Sequence, residues 1–169
     1  MHALLGMAAL LLLMLSALAS LGTHLTTKES RVRLLRVRRS LGLVASGAAL
    51  FHAIASLAHL HALSLTGVWN RLLALGYLRH GALALLVLAA LTLTSFPKVN
   101  ARLGLRTWTS LHRLSYVALI LGALHALAGP AMDPRLGVAA LGFALAIVII
   151  RVLVKMRKLV TKTKEEAEP

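Results

Sequence analysis

The chain has 169 residues, 59% of them hydrophobic, with nineteen Lys and Arg against five Asp and Glu and a mean hydropathy of +0.82. Soluble domains carry roughly 45–50% apolar residues, so this composition favours a single membrane domain over a soluble one. Cysteine is absent, which excludes disulfides, thiolate metal sites and thiol catalysis.

A bilayer core of about 30 Å needs about 20 apolar residues in helix. Five segments qualify: 3–21, 41–65, 78–96, 111–127 and 136–154. Backbone groups in hydrocarbon must bond internally, and Leu and Ala dominate without two-residue alternation, so the segments read as helices. The expected fold is an all-α integral membrane protein, a five-transmembrane-helix bundle. Residues 1–160 are expected to form one transmembrane helical domain and 161–169 a flexible tail. The first segment has only Met1 and His2 ahead of a long apolar run. That does not match a cleaved leader, so a retained helix is expected.

The connections agree. "TGVWNRLLALGY" (66–77) carries Trp69 and Tyr77, placed like interfacial anchors. "SFPKVN" (95–100) and "AGPAMDPRLG" (128–137) hold the prolines that end spans. Segments 22–40 and 97–113 read as cation-rich loops. With the C-terminal segment they hold sixteen of the nineteen Lys and Arg. Positive-inside bias then puts the N-terminus outside and the C-terminus in the cytoplasm. The charge is thus assigned to topology and to anionic lipid. At 4% aromatics the chain lacks the stacking platforms of nucleic-acid grooves, so no nucleic acid is expected.

Of eight histidines, several fall in or beside spans, where an ionisable group is costly and signals function. The plain alternative for any one is a neutral imidazole bonded to a neighbouring helix. His52 lies about 12 residues beyond Arg39–Ser40, and His125 about 12 beyond Arg113. Each is therefore about 18 Å deep from the same face, on helices running the same way. Two such histidines can sandwich a planar cofactor, and neutral imidazole is a good ligand for haem iron. His112, about 19.5 Å before His125 along the axis, belongs near the cytoplasmic interface. His59 falls on nearly the same face as His52, about 10 Å higher. It suits a propionate, a quinone oxygen or a proton path. His61 and His80 read as interfacial, His2 and His24 as solvent or headgroup residues.

These residues also carry a family likeness. "RRSLGLVASGAALFH" (38–52), "YLRHG" (77–81), and then "TS" (94–95), "LG" (103–104), Trp108, Leu111, His112, Tyr116 and His125 follow in order. The set resembles the ferric-reductase-like transmembrane domain, nearest its MsrQ/YedZ branch, the haem-binding membrane subunit of the periplasmic methionine sulfoxide reductase system. The resemblance covers about residues 36–128. It implies b-type haem between helices and electron flow across the membrane. His52 and His125 take the positions of haem ligands, and His112 that of the other fourth-helix histidine. In the oxidase relatives a second haem uses a histidine about 14 residues from its mate on each of two helices. Here those places around His52 hold Arg38 and Thr66. The branch has six spans, against five here.

The expected function is therefore a membrane b-type cytochrome. It passes electrons through bis-histidine haem, from a cytoplasmic flavoprotein or quinol to an extracytoplasmic acceptor, in the cytoplasmic (inner) membrane. It reads as an electron-transfer subunit of an oxidoreductase rather than a complete enzyme. One haem b is expected, with a second or a quinone as further candidates, and Arg38 and Arg39 as partners of propionates or of a donor's acidic surface. A redox partner or larger membrane complex is implied. The alternative is a haem-free structural or quinone-site subunit of a respiratory or photosynthetic complex.

Overall fold

The computed structural model describes all residues except 1, 24, 25, 61–63, 131, 132, 168 and 169; at 28, 105, 158, 159 and 161–167 it describes the backbone alone. Among the described residues seven helices follow in order: α1 (His2–Gly22), α2 (Lys28–His59), α3 (Leu65–Ala74), α4 (Gly76–Ser95), α5 (Pro97–Leu111), α6 (Leu114–Ala128) and α7 (Pro134–Ala167). Among the same residues five helical spans are long and apolar enough to cross a membrane: His2–Gly22, Glu29–His59, Gly76–Thr94, Arg106–Ala128 and Pro134–Arg157. The chain is an all-helical, multi-pass membrane protein.

The spans depart from the sequence reading in three places. Residues 28–40 are not loop but the first three turns of α2. No Gly or Pro interrupts them, and Arg and Leu are good helix formers; their charge hid the helix. α2 then ends at His59 rather than at 65, and the chain re-enters helix at α3, where Ser64 Oγ accepts from the Gly67 N–H at 3.0 Å. Residues 97–111, also expected as loop, form α5, with Pro97 in its first turn and a break at Gly104 (φ 73°). Proline is preorganised for a helix start. The left-handed φ at Gly104 suits only glycine at low cost.

α1 packs on α2, α6 and α7, while α4 packs on α2, α5 and α6. Four helices therefore form a ring in the order α2, α1, α6, α4, with α2 and α6 at opposite corners. The core is Leu10, Leu13, Leu88 and Leu119 with alanines: Ala45, Ala118, Ala123 and Ala144 are fully buried. Small residues let helix backbones approach where apolar burial gives little driving force. A close approach joins α6 to α7, where a Cβ on Gly137 would lie 2.4 Å from Leu127 Cα. Large apolar side chains such as Leu4, Phe51, Leu86 and Ile149 are more than half exposed, as a lipid-facing surface requires.

One polar cluster ties three helices together. Arg151 of α7 donates to Ser20 Oγ (2.7 Å) and to Tyr116 Oη, and its guanidinium lies 4.7 Å from the Tyr116 ring centre. Tyr116 in turn donates to Ser20 Oγ at 3.0 Å.

Candidate functional site

The bundle has two chemically different ends. α1 and α4 begin at one, and the histidines gather there. α1 finishes at the other, where the arginines gather.

At the histidine end, His52 of α2 and His125 of α6 reach across the ring of helices. Their ring centres are 5.9 Å apart and the planes 71° to each other. Each Nδ1 meets a backbone carbonyl: His52 that of His2 at 2.7 Å, His125 that of Tyr77 at 2.9 Å. A carbonyl can only accept, so each Nδ1 carries the proton and each Nε2 keeps a free lone pair. Both imidazoles are thus held in the tautomer that ligates a metal. The pair stands level with the first residue of α1 and the second of α4. It therefore lies toward one end of the bundle, not at the mid-depth implied by counting from the arginines.

The surroundings were only partly anticipated. His2, expected in solvent or headgroups, packs between His52 (6.5 Å) and His59 (4.8 Å). Tyr77, expected as an anchor, tilts over His125 at 5.6 Å. His80 has a buried Nδ1 without a partner among the described residues. His24 and His61 lie outside the described residues.

Arg38, Arg39 and His112 are gathered at the opposite end. Arg38 precedes His52 by fourteen residues, about 21 Å of helix. Its Nη2 donates to His112 O (3.0 Å) and Ser115 Oγ (3.4 Å). Arg39 Nη2 donates to Ser95 O at 2.6 Å, satisfying a carbonyl at the end of α4. His112 has both ring nitrogens engaged, Nδ1 with Trp108 O (3.1 Å) and Nε2 with Ser95 Oγ (3.2 Å), and Trp108 stacks on it at 4.1 Å. A cavity of about 60 Å³ lies among Arg38, Arg39, Thr92, Ser95, Trp108 and His112. Thr92 Oγ1 and Trp108 Nε1 are buried without partners among the described residues. Among the described residues no group of three or more His, Cys, Asp or Glu could hold a bare metal ion.

Comparison with known proteins agrees with this architecture. The family described as "Ferric reductase like transmembrane component" matches residues 3–123. The chain belongs to this family. Among its relatives are proteins named "Protein-methionine-sulfoxide reductase heme-binding subunit MsrQ". The one from Deinococcus radiodurans is 41% identical over 115 residues, 64% of this chain and 56% of the relative. That from Cronobacter sakazakii is 36% identical over 121 residues, 71% and 58%. That from Brucella anthropi is 32% identical over 136 residues, 79% and 61%. The chain thus spans a little over half the length of these curated relatives. The family match takes in α1, which lies outside the 36–128 of the likeness read from the sequence.

Proposed function

We propose that this chain is a membrane cytochrome subunit that holds one haem b between His52 and His125 and passes electrons through it. The carrying observation is the imidazole pair, presented from opposite corners of the four-helix ring. Two metal–nitrogen bonds of about 2 Å, with roughly 1 Å from each nitrogen to its ring centre, span about 6 Å. The observed 5.9 Å fits that span, and both free nitrogens are Nε2. Two axial histidines fill the iron's coordination, so the haem would supply reversible one-electron chemistry and no open site for oxygen. The relatives' printed description as haem-binding subunits supports the same reading.

His112 is assigned a different role, because its ring nitrogens already have partners. With Trp108, Arg38 and Arg39 it forms the face where electrons enter, from a flavoprotein or from quinol. The cation bias supports a cytoplasmic location for this end, with residues 161–169 as a cytoplasmic tail and the inner membrane as the proposed location. Anionic headgroups there would meet the arginines of α2. His59 borders the exit face, toward an extracytoplasmic acceptor protein. The test is a reduced-minus-oxidised spectrum of the purified protein. A b-type signal is expected; protein that stays colourless after haem supplementation overturns the proposal in favour of a haem-free structural subunit.

A further inference from the structure

The two imidazoles are held by the same arrangement twice. On α1, His2 offers its carbonyl to His52 Nδ1, tilts its own ring 33° to the His52 plane, and is followed four residues later by Gly6. On α4, Tyr77 offers its carbonyl to His125 Nδ1, tilts its ring 34° to the His125 plane, and is followed four residues later by Gly81. In a helix the carbonyl of residue i faces the N–H of i+4, so the glycine lies directly beside the accepting carbonyl. A Cβ on Gly6 would stand 2.9, 3.0 and 3.1 Å from Cε1, Nδ1 and Nε2 of His52. A Cβ on Gly81 would stand 2.8, 3.0 and 3.2 Å from Nδ1, Cε1 and Cγ of His125. Three ring atoms at nearly one distance mean that each imidazole lies face-on against the bare glycine.

We infer that Gly6 and Gly81 are positioning residues for the axial ligands, two matching seats that fix the plane and tautomer of each imidazole. The inference rests on His52 and His125 being those ligands. The missing side chain lets the ring drop onto the helix far enough for Nδ1 to reach the carbonyl. That contact commits the proton to Nδ1 and leaves Nε2 for iron. The ring of residue i closes in beside the imidazole, at 6.5 Å for His2 and 5.6 Å for Tyr77. An added methyl would meet the far end of a side chain, not backbone. The ring would turn while the helices stay in place.

The test uses the full chain carrying Gly6→Ala or Gly81→Ala, with Gly47→Ala and Gly142→Ala as controls, since nothing lies within 4 Å of a Cβ at either control position. Haem affinity is measured by titration, and ligand orientation by the low-spin ferric EPR signal. Each seat variant should weaken haem binding by about 10- to 100-fold, the usual cost of disturbing a ligand's outer contacts. Each should also shift the EPR g values, while the controls change neither. Unchanged affinity and g values in both seat variants, or equal losses in the controls, would overturn the inference. Tyr77→Leu covers the case in which Gly81→Ala does not fold. It removes the closing ring and keeps the carbonyl, so g values identical to the parent's would again count against the seat. Haem retained in both His52→Ala and His125→Ala would instead defeat the underlying ligand assignment, whatever the glycines do.

Discussion

Of the histidines within the spans, His52 and His125 share one kind of environment and His112 has another. His52 and His125 each bond a backbone carbonyl through Nδ1 alone, among the described residues, and His112 has both ring nitrogens engaged. Replacing His52 or His125 by Ala should abolish the b-type absorbance at equal protein amounts. His112→Ala should keep most of it and slow reduction from the arginine end. Loss in His112→Ala with retention in His125→Ala would reverse the assignment. The pairing of His52 with His125 was legible in the sequence, because both lie at matched distances from arginines on helices running the same way. His2 was not. Its partners are 50 and 57 positions away in the chain, and a single ring beside polar interface carries no periodic signal. The separation of His52 from the arginines was legible too, because helical rise already put His52 about 18 Å from Arg39–Ser40.

Among elements, the α6–α7 junction is tight at Gly137. Gly137→Ala would drive a methyl into the Leu127 backbone, which cannot swing aside as a side chain can. The expected loss is about 1–3 kcal/mol or more, read as a thermal midpoint several degrees lower in detergent. A midpoint within error of the parent's would show that α7 can slide. Tyr116→Phe should also destabilise, by about 1–2 kcal/mol, because Ser20 and Arg151 both lose a partner in a site shared by α1, α6 and α7; unchanged melting would show that the Arg151–Ser20 bond suffices alone. The apolar spans were readable by length and hydropathy. α5 and the start of α2 were not, because charge and an initial proline look like loop signals until N-terminal proline and unbroken Arg/Leu runs are weighed as helix formers.

For the whole molecule, sixteen of nineteen cations lie in the three segments assigned to the arginine end. A reporter fused after Pro169 should be active only as a cytoplasmic reporter. Activity of an export-dependent reporter there would invert the topology. Extracted pigment should amount to one haem per chain, since the second pair of the oxidase pattern has no histidine at 38 or 66. Two tightly held haems would require a further ligand, from another subunit or from His24.

The placement of the imidazole pair near one end has an electrical consequence. An iron there would sit close to one surface of the insulating layer, not at its centre. An electron arriving from the arginine end would cross most of the membrane's field before reaching the metal, while one leaving at the histidine end would cross little. A full traverse is worth about 2.3 kcal/mol for each 100 mV of membrane potential. Nearly all of that would fall on the entry step, so charging the membrane should change how readily the haem is reduced and leave its reoxidation almost untouched.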